Sequence, residues 1–126
     1  MNYPIFFNAK SSQNLFELQE NFRFISELYL KKKLPKILML SGIKGSGKST
    51  LVNHFLFSIF DEKNYNVNNY TLSGNSIFLN QFENNIFSNI IYISGADFKS
   101  VKVEDIRNLK TRILQSTISN KDRIIV

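Results

Sequence analysis

An α/β fold, in which the strands of a parallel sheet alternate with flanking helices, is predicted by two features of the sequence. Short apolar runs typical of buried strands occur at residues 37–40, 89–94 and 123–126, and helical patterns follow the first two. Strands and helices that alternate in this way form a parallel sheet with right-handed crossovers. With 126 residues, of which 43% are hydrophobic, the chain has the size of one small domain.

The first helix is predicted over residues 12–31, where apolar side chains recur at helical spacing and Ser11 or Ser12 can cap the start. Its expected inward residues are Leu15, Leu18, Phe22, Ile25, Leu28 and Tyr29. Lys31–Lys33 close the helix, where cations suit the C-terminal dipole. They form a solvated helix end or, alternatively, a patch that faces nucleic acid. Pro35 then breaks the helical pattern before the first strand.

The stretch from Ile37 to Phe60 combines a predicted strand, a glycine-rich turn and a helix from about residue 47 to residue 60. Within it, the segment from Gly42 to Ser49, GIKGSGKS, matches the pattern G-x-x-x-x-G-K-[ST] at every defined position. The alternative is a glycine turn that only connects a strand to a helix. Because the pattern lies between a predicted strand and a predicted helix, a phosphate-binding P-loop is the better interpretation.

Each residue type in this pattern has a chemical reason. Glycines allow positive φ and a close approach of backbone N–H groups to a β-phosphate, and the following helix aims its dipole at the same anion. Lys48 would bridge the β- and γ-phosphates, and the Ser49 hydroxyl would hold Mg²⁺. We therefore predict ATP and Mg²⁺ as cofactors. The predicted binding residues are Gly42, Ile43, Lys44, Gly45, Ser46, Gly47, Lys48, Ser49 and Thr50.

The P-loop helix is followed by a polar, Asn-rich stretch at residues 61–75 that predicts a surface loop. The helix should bury Leu51, Val52, Phe55, Leu56 and Ile59. His54 lies on it without a second ligand candidate nearby and is interpreted as structural or solvent-exposed. Residues 76–87 predict a short helix with Ile77, Phe78, Phe82 and Ile86 on one face.

The predicted strand at residues 89–94 ends at Gly95, and Asp97 follows at the sheet edge where α/β folds bind ligands. A role for Asp97 as a turn or cap residue is at least as well supported. An amphipathic helix is predicted over residues 103–116, followed by a turn and a third strand. Its expected inward residues are Val103, Ile106, Leu109 and Ile113, its first turn holds Glu104 and Asp105, and its later part holds Lys110 and Arg112.

Composition excludes several classes of protein. The chain has no cysteine, which excludes disulfides and thiolate metal sites. It has no membrane-spanning apolar run and no signal peptide, so we predict a cytoplasmic protein without membrane contact. A net charge of +6 permits an anionic partner such as nucleic acid. However, Lys, Asn, Ile and Phe are also the residues that an AT-rich genome favours, so charge alone decides little.

P-loop domains ordinarily carry an acidic residue at the end of a later apolar strand, the Walker B strand, to hold Mg²⁺ through water. Residues 124–126 look like the first half of such a strand, cut before its acid. We therefore expect residues 1–126 to be the incomplete N-terminal part of a nucleotide-binding domain, with weak nucleotide binding and poor hydrolysis.

The chain resembles the N-terminal part of the delta-prime subunits of the bacterial DNA polymerase III clamp loader, which are AAA+ proteins. Two stretches point beyond a generic ATPase: Val101–Leu109 is similar to the family's I-x-V-D-x-I-R-x-L helix start, and Ser116–Val126 to its S-x-x-x-x-x-R-V-x-I-I lead into the Walker B strand. The other features are an amphipathic helix that ends in Lys31-Lys32-Lys33-Leu34-Pro35-Lys36, and the strand and P-loop Ile37–Thr50.

This resemblance implies an ATP-binding subunit that helps to open the sliding clamp and load it on primed DNA, with other clamp-loader subunits as partners. Many relatives carry four zinc-binding cysteines after the P-loop helix, and since none is present here, no zinc module is expected. One alternative is a small-molecule or nucleoside kinase in which Asp97 and Arg107 contact the substrate. Another is a non-catalytic scaffold subunit with a vestigial P-loop. If Arg107 does not contact a substrate, it would face DNA, pair with Glu104 or be solvated.

Overall fold

A computed structural model describes residues 12–73, 75–93, 102–117 and 119–126, and the chain divides into two units, residues 1–79 and residues 80–126. Within the described residues the helices are α1 (Gln19–Leu30), α2 (Lys48–Phe60), α3 (Ile77–Glu83) and α4 (Val103–Ile113). The strands are β1 (Tyr65–Asn66), β2 (Thr71–Leu72), β3 (Ile90–Ile91) and β4 (Ile124–Ile125). The predicted α/β class is confirmed as a mixture of helices with small sheets.

The core of the first unit forms where α1 packs on α2. Phe22 of α1 is 2% exposed, and its ring centroid lies 5.7 Å from that of Tyr65 and 5.5 Å from that of Tyr70. Phe57 of α2 is completely buried and meets Phe78 edge-on at 6.0 Å. Replacement of such a buried ring by alanine typically lowers the free energy of unfolding by about 3–5 kcal/mol. These contacts therefore stabilise the position of α2. The predicted burial of Leu51, Phe55, Leu56 and Ile59 is confirmed, whereas Val52 is only half-buried.

The predicted start of the first helix is wrong, because α1 begins at Gln19 and residues 12–18 are not helical. The backbone of this segment instead pairs with β2 and the turn before it. The Leu15 N–H donates to the Tyr70 carbonyl at 3.3 Å, and the Leu72 N–H donates to the Gln13 carbonyl at 3.3 Å. Pairing with a distant segment therefore outweighs the local helical periodicity.

The stretch predicted as a surface loop contains the antiparallel hairpin of β1 and β2. Tyr65 and Leu72 face each other across it and are both buried. After the hairpin, Ser76 caps the start of α3. Its hydroxyl accepts the Leu79 N–H at 3.1 Å and donates to the Asp61 carboxylate. The loop prediction is wrong for the hairpin, since two buried side chains anchor it to the core.

His54 has a structural role, as one of the two sequence interpretations held. It is 0% exposed, and its ring nitrogens contact Tyr65 and Ser12. Since a carbonyl only accepts, the His54 Nε2–H donates to the Ser12 carbonyl at 3.0 Å, and the Tyr65 hydroxyl donates to Nδ1 at 2.9 Å. Burial lowers the pKa of His54 below 6.5, although the Ser12 carbonyl opposes this shift. The neutral imidazole therefore joins α2, β1 and the segment before α1.

We predict that the free energy of unfolding falls as the pH drops below about 6.5. The unfolded chain binds a proton at His54 from that pH downward, while the folded chain resists protonation because its pKa is lowered. Urea unfolding at pH 7.5, 6.5 and 5.5 measures this slope. His54 is the single histidine of the sequence, so His54→Asn should flatten the slope in this range. Equal slopes in both proteins would contradict the prediction.

In the second unit, β3 and β4 pair in parallel with Ile90 opposite Ile124, as the sequence predicted for two strands of an α/β fold. The Ile124 N–H donates to the Asn89 carbonyl at 2.8 Å, and the Val126 N–H donates to the Ile91 carbonyl at 2.9 Å. Ile90 and Ile91 of β3 are buried, as are Phe82 and Phe87, and Phe82 meets the Tyr92 ring edge-on at 6.3 Å. This pairing confirms the strand predicted at residues 123–126.

The fully buried side chain of Asn89 fixes the turn in front of β4. Its Nδ2 donates to the carbonyls of Ser119 at 3.1 Å and Lys121 at 3.0 Å, and its Oδ1 accepts the Ser119 N–H at 3.1 Å. A third carbonyl, that of Asp122, lies 3.5 Å from Nδ2. These bonds satisfy backbone groups of residues 119–122 that no strand or helix pairs.

Helix α4 ends at Ile113 rather than Ser116, and the prediction that its apolar side chains face inward is wrong. Val103, Ile106 and Ile113 are exposed, and Leu109 is only partly covered. The spacing produces an apolar face, but burial needs a partner surface, and the described residues supply none. The predicted charge placement is confirmed, with acidic residues in the first turn and basic residues in the last. Arg123 also donates to carbonyls at the C-terminal end of α4.

The buried strand predicted at Ile37–Leu40 is not present in the structure. Ile37 and Met39 are 88% and 85% exposed, because no strand among the described residues pairs with this run. The helix predicted at residues 76–87 is shorter, as α3, and buries Phe78 and Phe82 but not Ile77 or Ile86. Gly95 and Asp97 lie outside the described residues. No described helix has the length and apolar character needed to cross a membrane.

Candidate functional site

The loop between residues 42 and 47 has the backbone that the glycine spacing predicts. Gly45 and Gly47 have φ angles of 84° and 80°, a region that side-chain-bearing residues rarely adopt. Gly42 also has positive φ, and a Cβ built on it would lie 3.3 Å from the Ser46 Oγ and 3.8 Å from the Lys48 Nζ. The Ser46 N–H closes a turn on the Ile43 carbonyl at 3.2 Å. The glycines therefore leave a space that a side chain would fill.

Lys48 is the first residue of α2, and its side chain folds back over the loop. Its ammonium donates to the Gly42 carbonyl at 2.8 Å, the Ile43 carbonyl at 2.7 Å and the Ser46 hydroxyl at 3.3 Å. Within the described part of the chain, Lys48 forms no ion pair. Its positive charge is therefore held inside the loop by uncharged oxygens and is not neutralised there.

The N-terminal end of α2 has the features of an anion-binding helix end. Gly47 is its N-cap, and among the described residues no side chain caps the helix and no acidic residue lies in its first turn. Ser49 and Thr50 lie in that turn, with Ser49 exposed and Thr50 half-buried. The helix dipole and the first-turn N–H groups consequently favour a negative charge at the same place as the Lys48 ammonium.

The two units together carry the sequence pattern of one protein family. The family model described as "DNA polymerase III, delta subunit" matches residues 18–126, which is most of the chain. The chain belongs to this family. The matched region contains α1, the glycine loop and both strands of the parallel pair. No curated protein matches the chain, and no solved structure matches it either.

Membership in the DNA polymerase III delta family relates the chain to clamp-loader subunits and to DNA replication, in agreement with the resemblance of its motifs. The described geometry brings all nine predicted loop residues together, from Gly42 in the loop to Thr50 in the first turn of α2. This delta-family chain therefore presents a glycine loop, a lysine ammonium and a helix N-terminus at one place.

Other candidate residues of this delta-family chain are exposed wherever the structure describes them. Lys31–Lys33 are exposed just after α1, and Lys31 forms a surface pair with Glu27 at 3.3 Å. Arg107 is exposed on α4, and the ion pairs found among the described residues do not include one with Glu104. Asp97 lies outside those residues. Within the described ranges no cluster of three or more His, Cys, Asp or Glu side chains suits a metal ion.

One contact of the loop was missed by sequence reasoning. A Cβ built on Gly47 would lie 3.1 Å from the Leu18 Cδ1, so this leucine packs on the last glycine of the loop. Leu18 was predicted only as a core residue of α1. Sequence patterns give no signal for this contact, since the two residues are 29 positions apart and Leu18 fits the apolar periodicity of the helix.

Proposed function

We propose that this chain is a nucleotide-binding, delta-prime-type subunit of the DNA polymerase III clamp loader, with an AAA+ P-loop that binds ATP and Mg²⁺. The observation that carries the proposal is the Lys48 ammonium held inside a glycine loop at the N-terminus of α2. The cradle suits a triphosphate, because glycine at position 42 adds no Cβ next to Ser46 and Lys48, and because no carboxylate among the described residues pairs with Lys48.

The residues that would hold the nucleotide are those from Gly42 to Thr50. Backbone N–H groups of the loop and of the first turn of α2 would bind phosphate oxygens, and Lys48 would exchange its bonds to loop oxygens for bonds to the β- and γ-phosphates. The exposed Ser49 hydroxyl would ligate Mg²⁺, which would supply positive charge to the bound nucleotide. The proposed partners are the other clamp-loader subunits, the sliding clamp and primed DNA.

Titration of a fluorescent ATP analogue into the full chain tests this proposal. Saturable binding that unlabelled ATP displaces would support it, and a complete lack of binding would refute it. In that second case the scaffold alternative, with a vestigial P-loop, would be the better account of a delta-family chain.

We predict that Ser49→Ala weakens binding of the ATP analogue roughly tenfold in the presence of Mg²⁺, a loss of about 1.4 kcal/mol. The reason is that one metal ligand is removed while the phosphate-binding N–H groups remain. In EDTA the variant and the parent chain should bind alike. Ser41→Ala is the matched control, since Ser41 is exposed immediately before the loop. Equal Mg²⁺-dependent affinities for Ser49→Ala and Ser41→Ala would contradict the metal role.

A further inference from the structure

We propose that Leu18 is a positioning residue for the phosphate loop, an inference that rests on the proposed nucleotide-binding function. The Leu18 side chain packs on Gly47 and thereby fixes the direction of the first N–H groups of α2. The side-chain carbon Cδ1 lies 3.1 Å from the position that a Cβ of Gly47 would take. Leu18 thus lies on the side of Gly47 to which the side chain of any other residue at position 47 would point.

Leu18 is itself held in place by residues on both sides. Its carbonyl accepts the Phe22 N–H at 2.9 Å, and Phe22 is 2% exposed between two tyrosine rings. On the other side, Leu15 is 4% exposed, and its N–H donates to the Tyr70 carbonyl at 3.3 Å. The backbone of Leu18 is consequently held between two buried residues, and from there its half-buried side chain lies against Gly47.

The supported residue controls how the loop enters α2. Gly47 is the N-cap of α2 in a left-handed conformation, with φ 80° and ψ 14°, and its carbonyl accepts the Leu51 N–H at 2.9 Å. The peptide group that follows Gly47 contains the Lys48 N–H. A shift of Gly47 into space vacated by Leu18 would therefore turn that N–H and displace the Lys48 side chain from its three loop acceptors.

The test compares Leu18→Ala with Leu28→Ala, which makes the same change at a half-buried position of α1. Both variants are first confirmed as folded by circular dichroism. We expect the dissociation constant for the fluorescent ATP analogue to rise about fivefold for Leu18→Ala and less than about twofold for Leu28→Ala. Equal affinities in the two variants would overturn the inference.

A double-variant cycle separates positioning from general stability. Gly47→Ala should weaken binding strongly, because its new Cβ strains the backbone and meets Leu18 Cδ1 at 3.1 Å. Adding Leu18→Ala removes the second of these problems, so the double variant should bind more tightly than Gly47→Ala alone. Adding Leu28→Ala should give no recovery. If the effects of Leu18→Ala and Gly47→Ala simply add, the inference is wrong.

A measurement without nucleotide distinguishes failure of this inference from failure of the proposed function. The Leu18→Ala change should shift the amide resonances of Gly47 and Lys48 in a ¹⁵N–¹H correlation spectrum, and Leu28→Ala should leave them in place. Unchanged resonances in Leu18→Ala would overturn the positioning role even if the parent chain bound no ATP. Absence of ATP binding by the parent chain would refute the proposed function instead.

Discussion

Replacement of Lys48 by alanine is expected to abolish measurable binding of ATP to the full chain. Lys48 folds its positive charge back over the glycine loop, and its ammonium lies 2.8 Å and 2.7 Å from the Gly42 and Ile43 carbonyls. Hydrogen bonds to charged groups contribute about 1.5–3 kcal/mol each. Loss of two such bonds to phosphate oxygens corresponds to roughly a 100-fold or greater fall in affinity. Titration of a fluorescent ATP analogue measures the effect.

Lys44→Ala is the matched control for this experiment. Lys44 lies in the same loop and carries the same charge, but it is exposed, and only its backbone N–H, which the substitution retains, is proposed to bind phosphate. General attraction between a basic chain and an anionic nucleotide would be reduced equally by both substitutions, and it would weaken with salt. We expect Lys44→Ala to change the affinity less than about threefold. An unchanged affinity for Lys48→Ala would refute the assignment of the loop.

Replacement of Asn89 by alanine is expected to lower the free energy of unfolding of the second unit by roughly 2–4 kcal/mol. The Asn89 side chain is fully buried and bonds the turn before β4 through the Ser119 and Lys121 backbones. Its removal leaves the Ser119 N–H and the Ser119 and Lys121 carbonyls without their bonds to the asparagine side chain. The local readout is hydrogen exchange of the Ile124 and Val126 amides, which bond to β3 and its preceding residue.

Asn108→Ala controls for the loss of an asparagine elsewhere in the same unit. Asn108 is exposed on α4, so its replacement should change the free energy of unfolding by less than about 0.5 kcal/mol. Protection of the Ile124 and Val126 amides should remain in that variant. If Asn89→Ala left their exchange as slow as in the parent chain, the turn before β4 would not depend on the asparagine side chain.

Local patterns predicted those parts of the fold that local chemistry determines. The glycine spacing and the apolar periodicity after it placed the loop and α2 within one residue of the observed helix start. The two apolar runs that became β3 and β4 were also found, although the observed strands are shorter. In each case the residues that define the element are adjacent in sequence, so a short window contains the necessary information.

The errors arose where a distant segment decides the outcome. Residues 12–18 have helical periodicity, but their backbone pairs with the hairpin, and Glu17 adopts a positive φ of 59° that ends any helix there. Tyr65 and Leu72 lie in a polar, Asn-rich stretch, and only their contacts with the core make them buried. The opposite error occurred at Ile37–Leu40 and on the apolar face of α4, which were predicted to be buried but are largely exposed. An apolar pattern does not specify a partner surface, and burial requires one.

In the candidate site too, the residues that are adjacent in sequence could be proposed from the sequence, whereas contacts between distant residues could not. The nine residues 42–50 form one contiguous motif, so the sequence alone could propose them as a phosphate loop. The positive φ angles at Gly42, Gly45 and Gly47 are ones that glycine adopts readily. The support of Gly47 by Leu18 and the link between His54 and Ser12 could not be predicted, because each joins residues that are far apart in sequence. The packing of α1 on α2 and the pairing of residues 12–18 with the hairpin bring these residues together.

The most direct test of the central claim is a ¹⁵N–¹H correlation spectrum of the full chain titrated with ATP and Mg²⁺. If this delta-family chain binds nucleotide through its glycine loop, the largest shifts will occur at the amides of Gly45, Gly47, Lys48 and Ser49. A spectrum without saturable shifts, or with its largest shifts outside residues 42–50, would contradict the claim.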